Sequence, residues 1–305
     1  MSKFIKKISF LFVIIISVYI ALGNLADGFT DPFYLRLTTK KQNSLILGSS
    51  RAAQGVLPQI LEEGISKNTY EGNIFNYSFT VNHSPFGKVY YKAIKEKLES
   101  NTKNGLFIIE VNPWTLSKSI SIAHYREEEL ELANLHIFNM NPNYDYLINS
   151  YKKSMFSLLF NKTTTNKSMK LHSNGWLEVD IDVSQDNLVR GNMEKIKIYK
   201  KTAKISVIDD NRIEYLNKTV SLLKKHGTVV LVRLPVSDEM RKVEDNFDLK
   251  FNNRMQNISD TQCVPYLIYY DDNYIFPDGN HLYKESGKYF SILLANDINK
   301  LVLNE

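Results

Sequence analysis

The chain has 305 residues, 38 basic and 33 acidic, for a formal net charge of +5 at pH 7. Its 43% hydrophobic and 23% charged content is that of a globular protein long enough to bury a sizeable core. Beyond Lys3, Lys6 and Lys7 the basic residues are interspersed with acids, so the basic tract that nucleic-acid binding needs is missing. The single cysteine, Cys263, excludes an intramolecular disulfide and a cysteine-based metal site, and it reads as a small buried apolar side chain.

The three lysines at the N-terminus precede Ile8 to Leu22, a run without formal charge and rich in Ile, Val, Leu and Phe. A positive tip followed by an apolar run directs a chain to an export channel, and the lysines stay on the cytoplasmic side. Ala21-Leu22-Gly23 is a small-x-small pattern open to cleavage. Phe4 to Leu25 is also long enough for an uncleaved anchor, which needs about 20 residues. The flanking residues that lengthen the span favour the anchor over 1–26, with a domain from 27 to 305 outside the membrane. No cysteine sits at the boundary to take a lipid.

A connector, Asp27 to Lys41, leads to a regular rhythm. Ser44 to Leu47 reads as a strand and Ala52 to Ile65 as a helix. Asn73 to Phe79 reads as a second strand, Pro85 to Leu98 as a helix and Leu106 to Val111 as a third, buried strand. Residues from about 115 to 208 break the rhythm. They are polar, aromatic and irregular, with an acidic helix-like stretch at Glu127 to Leu132 and a polar segment at Asn161 to Ser168. This reads as an insertion that caps or flanks the core. The rhythm resumes with a helix at Arg212 to Lys225, a strand at Thr228 to Leu234, helical pattern over Ser237 to Ile258, a strand at Pro265 to Tyr270 and a closing helix at Lys284 to Leu303. Five apolar runs alternating with helices predict an α/β fold, a five-stranded parallel sheet covered on both faces in three layers. Such sheets bind ligands at the carboxyl ends of their strands.

Two motifs fall at that edge. Gly48-Ser49-Ser50-Arg51 leaves the first strand and enters a helix, where a serine is presented beside backbone N–H groups that can stabilise an oxyanion. The same serines also fit a plain helix cap. Pro277-Asp278-Gly279-Asn280-His281-Leu282 follows the fifth strand. A carboxylate three residues before a histidine can orient the imidazole through one nitrogen while the other reaches a serine, although Asp, Gly and Asn are equally at home in a helix-entry turn.

Together the two motifs resemble the SGNH (GDSL-like) hydrolase superfamily over about residues 43–112 and 205–300. Gly-Ser-Ser for Gly-Asp-Ser is similar to the membrane-anchored protein of D-alanine transfer to wall polymers, and the anchored architecture is similar to the alginate O-acetylation proteins. The resemblance implies a flavodoxin-like domain in which Ser50 is acylated, His281 is the base and Asp278 orients it. It needs no metal or other cofactor. The family's second block, which supplies a glycine N–H to the oxyanion hole, corresponds to Asn76 to Ser84, which has no glycine. Its third block corresponds to Glu110-Val111-Asn112-Pro113. Asn112 is carried over as an oxyanion donor, with Asn82 as a second candidate.

Arg233, at the end of the fourth strand, and Arg51 are candidates for binding an anionic substrate group; each also fits an ion pair. His83 sits on the second-strand loop and is placed to line the cleft. His124, His136, His172 and His226 lack partners at metal-ligand spacing. Trp114 and Trp176 suit stacking on sugar rings or, more simply, packing under the insertion. The expected function is ester cleavage or O-acyl transfer on an acylated sugar or polysaccharide of the cell envelope, beside a membrane-bound acyltransferase. The alternatives are a non-catalytic SGNH-like binding or assembly component and a soluble secreted lipase or esterase.

Overall fold

The computed structural model describes residues 1–66, 69–120, 131–160, 168–270 and 273–303. Most of the two polar stretches expected at 127–132 and 161–168, and His124, lie outside the described residues.

The first helix, α1 (Ser2–Gly23), is long and apolar enough to cross a membrane, with a mean hydropathy of 2.2 over its most apolar window. Only Leu22 and Gly23 at its end are buried against the rest of the protein. Such a helix serves as an anchor or a signal.

Five short parallel strands form the sheet: β1 (Ser44–Leu47), β2 (Ile74–Asn76), β3 (Gly105–Glu110), β4 (Gly227–Arg233) and β5 (Tyr266–Ile268). Their order is β2-β1-β3-β4-β5, the flavodoxin-like doubly wound order, with its switch point between β1 and β3. Parallel strands buried on both faces need apolar side chains at successive positions, and β1 and β3 are buried throughout. Leu45, Leu47, Phe107, Ile109, Val229 and Leu231 point to one face. They pack with α4 (Lys88–Lys97), α6 (Asp210–Leu223) and α8 (Phe251–Gln262). Ile46, Leu106, Ile108, Val230 and Val232 point to the other face. They pack with α2 (Ser50–Gly55), α3 (Pro58–Gly64) and α9 (Lys284–Leu303). Each fully buried side chain of this kind contributes about 1.5–3 kcal/mol, so the two apolar faces supply most of the driving force for folding.

Two expected helices are each split in two. The expected helix over 52–65 stops at Gly55 and restarts at Pro58, because proline has no N–H for the preceding turn but suits the first position of a new helix. The helical pattern over 237–258 divides into α7 (Asp238–Phe247) and α8. At the break the Asp248 side chain accepts a hydrogen bond from the Lys250 N–H. Cys263, expected in the core, is exposed, in a left-handed residue that ends α8.

The segment expected to be an irregular insertion holds more structure than its sequence suggested. Its two ends are joined as an antiparallel ribbon, Ser117–Ser119 against Ser206–Ile208. It also contains a hairpin, Met169–Leu171 with Leu177–Val179, and the 20-residue helix α5 (Gln185–Lys204). No residue of α5 is fully buried, and Val189, Met193 and Ile198 are exposed, so its apolar side chains are not gathered into the core. A helix with so little buried surface opens at lower free energy than the core. Amide hydrogen exchange is therefore expected to be at least about tenfold faster in α5 than in β3; equal protection would mean that α5 is held as firmly as the sheet.

Candidate active site

Chain reversal at the carboxyl end of β1 places two adjacent serines in different environments. Gly48 has φ +143°, a backbone conformation that favours glycine, and a Cβ there would lie 2.5 Å from the Glu110 carboxylate. Ser49 is fully buried and is the N-cap of α2, its hydroxyl accepting from the Arg51 N–H at 3.3 Å. The cap is thus supplied by Ser49, and Ser50 is left to face the cleft at the first turn of α2.

The loop between β5 and α9 comes to meet it. Ser50 Oγ is 2.8 Å from His281 Nε2, and His281 Nδ1 is 2.9 Å from Asp278 Oδ2. With the Nδ1 proton directed to the carboxylate, as this network assigns it, Nε2 is free to accept from the serine hydroxyl. Asp278 also accepts from the backbone N–H groups of Asn280 and His281, each at 3.0 Å, and lies 3.2 Å from the Lys195 ammonium of α5. Burial works against the charged carboxyl, but His281, Lys195 and the backbone donor outweigh it and hold the Asp278 pKa well below the ordinary range. The structure therefore brings Ser50, His281 and Asp278 into one chain of hydrogen bonds, joined by Lys195, which the sequence did not mark.

The two arginines expected to bind substrate do other work. Arg51 is buried, with Nε and Nη2 donating to Asn280 Oδ1 at 3.1 and 2.6 Å and Nη2 lying 2.6 Å from Glu244 Oε1. Arg233, also buried, pairs with the other oxygen of Glu244 at 2.9 Å and with Asp245 at 3.0 Å. Both are corrected from substrate binders to supports of the loops. Glu244, on α7, is fully buried and also accepts from the Trp114 indole at 3.0 Å. Burial alone would raise its pKa; the guanidiniums of Arg51, Arg233 and Arg241 instead bring it down to about 2.

Asn112 is also displaced from its expected role. Its amide hydrogens go to Ser49 Oγ at 3.2 Å and Glu110 Oε1 at 2.6 Å, and its oxygen caps the turn Pro113–Leu116. Nothing remains of that amide to reach an oxyanion. Glu110 in turn accepts from the Ser49 N–H at 2.7 Å, its pKa raised by burial against the opposing pull of Arg51 and its hydrogen bonds. Asn82 lies on the cleft wall and is exposed. His83 turns away, with Nδ1 2.6 Å from Thr80 Oγ1 and its ring stacked on Phe33. His172 pairs with Glu178 and stacks on Trp176, whose indole donates to the Gln54 carbonyl. His226 approaches the Thr102 carbonyl at 3.0 Å, and the His136 backbone N–H donates to Asp145.

The cleft over Ser50 has a volume of about 630 Å³. One wall is Thr80, Val81 and Asn82; the other is the insertion, with Lys195, Ile198 and Tyr199 from α5 and Ser117 to Ser119 and Ser206 from the ribbon. Serine, threonine, asparagine and glutamine side chains contribute hydroxyl and amide groups to this lining, Lys118, Lys195 and Arg212 contribute cations, and Trp114 and Tyr199 add aromatic surface. A larger depression of about 930 Å³, lined by Gln59, Glu62 and Asn73, lies by the amino end of β2, away from these groups.

No protein-family model matches the sequence, and no curated protein matches it in a sequence search. Among solved structures the chain is similar to a lipase/acylhydrolase from Enterococcus faecalis, at 10% identity and a TM-score of 0.39, over 84% of this chain and 95% of that one. Likeness of that degree carries no weight for function.

Replacing Glu244 by Gln leaves buried guanidiniums short of a counter-charge and is expected to cost about 3–5 kcal/mol in urea unfolding at neutral pH. Because its folded pKa is depressed, the stabilisation from Glu244 is complete above the ordinary carboxylate range and is lost as pH falls through about 2. Lys195→Met removes a cation from Asp278, so that carboxyl moves back up towards its ordinary range. The stabilisation it gives is present above the unfolded pKa and lost in acid, and acid unfolding of the variant is expected to begin at higher pH than in the native chain. An unchanged acid-unfolding midpoint would show that Lys195 does not act on Asp278.

Proposed function

We propose that the chain is a serine-dependent ester hydrolase or O-acyltransferase of the SGNH type, working through an acyl-enzyme on Ser50. The observation that carries this reading is the run Ser50 Oγ–His281 Nε2–Asp278, at 2.8 and 2.9 Å, at the mouth of an open cleft. His281 accepts the Ser50 proton as the oxygen attacks an acyl carbonyl, then returns it to the departing alcohol. Asp278 holds the imidazole in the tautomer that leaves Nε2 basic and stabilises the imidazolium that forms. The acyl group then passes to water or to a hydroxyl of an acceptor by the reverse sequence.

The developing oxyanion is assigned to the Ser50 backbone N–H, at the first turn of α2, and to the Asn82 amide on the facing wall. The hydroxyl-rich, aromatic-edged lining suits an acylated sugar or polysaccharide. With α1 as an anchor and its lysines held inside, the domain lies outside the membrane at the cell envelope, where a membrane-bound acyltransferase is a fitting partner.

The inward commitment of Asn112 favours a second reading, a non-catalytic binding or assembly component of an envelope acylation system. Steady-state assays on the detergent-solubilised full chain, with an aryl acetate and with O-acetylated oligosaccharides, separate the two. Catalysis predicts that Ser50→Ala removes the activity, that Asp278→Asn lowers kcat by on the order of 10⁴ and that Asn82→Ala lowers it by about 10²–10³. A rate that Ser50→Ala leaves unchanged contradicts the enzyme reading.

A further inference from the structure

The region where α1 meets the domain carries apolar side chains on both of its faces. The Tyr144 hydroxyl donates to the Ile20 carbonyl at 3.0 Å, and the Tyr144 ring lies so close to Gly23 that a Cβ there would sit 2.3 Å from it. The turn Met155–Leu159 packs against the end of α1, with Met155 and Leu158 buried in the cluster that contains Leu22 and Ala26. The opposite side of this turn is apolar too. Phe156, Leu159 and Phe160 are 59%, 51% and 55% exposed, and Ile148, on the short helix that begins at Tyr144, is 65% exposed. Lys152 and Lys153, just ahead of the turn, are exposed. The inward apolar pair is explained by the core; the exposure of Phe156, Leu159 and Ile148 is not.

We propose that this surface docks on the lipid bilayer, with Phe156, Leu159, Phe160 and Ile148 in the headgroup layer and Lys152 and Lys153 at anionic headgroups. The proposal rests on α1 being a retained anchor. Past its lysines the helix runs uncharged from Ile8 to Gly23, about 24 Å at 1.5 Å per residue, no longer than the roughly 30 Å hydrocarbon core. The end of α1 therefore emerges at the interface, and whatever packs on that end is held at the same depth. Exposed Phe and Leu beside lysines are the composition that interfacial segments use, and each basic residue near an anionic surface adds to the attraction. The bilayer is favoured over a second copy of the chain because α1 brings the patch to the lipid whether or not a second copy is near. Docking at a second point restrains the domain from swivelling about its anchor, so the cleft is held in one orientation to the membrane.

Site-specific quenching in the full chain tests this. In a Cys263→Ser background, single cysteines replace Leu159, Phe160, Ile14 in α1, and Leu249, which is 84% exposed in the turn between α7 and α8. Each is labelled with an environment-sensitive fluorophore and reconstituted in phosphatidylcholine–phosphatidylglycerol vesicles containing nitroxide lipids. The expected result is quenching at positions 159 and 160 within about twofold of that at 14, and little at 249. Quenching at 14 with positions 159 and 160 as unquenched as 249 overturns the docking and leaves the anchor standing. Cross-links between copies through position 160, without quenching, overturn it in favour of self-association. An unquenched label at 14 overturns the anchor reading, and the docking with it.

Discussion

Glu244 lies between the guanidiniums of Arg51 and Arg233, and the site's geometry depends on that arrangement. A buried cation is costly unless it is paired and hydrogen-bonded. Here one carboxylate uses both oxygens for two arginines and one of them also for the Trp114 indole. Arg51 follows Ser50 directly, and its guanidinium reaches across to Asn280, the neighbour of His281. The loop that carries the serine and the loop that carries the histidine, 231 residues apart in sequence, are thereby tied to one anchor point on α7. A second buried carboxylate, Glu110, fixes the Ser49 N–H and the Asn112 amide from the end of β3. Ser50 and His281 meet at 2.8 Å because the groups behind each of them have nowhere else to go.

The sheet order explains why this meeting falls where it does. A doubly wound sheet opens a crevice where the chain winds in opposite directions from neighbouring strands, and here β1 and β3 flank that point. The carboxyl end of β1 delivers Gly48-Ser49-Ser50, and that of β3 delivers Glu110 and Asn112. The return from β5 brings Asp278 and His281 to the same edge. The insertion adds the missing wall. Its ribbon joins its two ends, and α5 crosses the Asp278 loop closely enough that a Cβ on Gly191 would lie 2.3 Å from the Pro277 carbonyl. Lys195 sits one turn further along α5, against the carboxylate.

The parts of this arrangement that were legible in the sequence are local. Five apolar runs in alternation with helices gave the sheet, and the Ser50 and Asp278–His281 motifs each lie within a few residues at a strand end. The parts that were not legible depend on partners far away in the chain. Nothing near Arg51 or Arg233 names Glu244 as their shared counter-charge, so both arginines looked available to a ligand. Asn112 looked like an oxyanion donor because its position beside β3 is right; only the packing shows Glu110 and Ser49 using its hydrogens. Helix α5 went unread because it lies in a polar, irregular stretch and its apolar side chains, Val189, Met193 and Ile198 among them, stay exposed instead of forming a stripe against the core.

Acyl transfer at this site requires Ser50 to be an activated nucleophile rather than a hydroxyl that happens to lie beside an imidazole. Intact-mass analysis of the full chain after exposure to a fluorophosphonate tests this directly, because only a serine with a working base and oxyanion site reacts readily. A single adduct on the native chain, absent from Ser50→Ala, is the result expected. A folded native chain that takes no adduct, or an adduct that persists in Ser50→Ala, would contradict it.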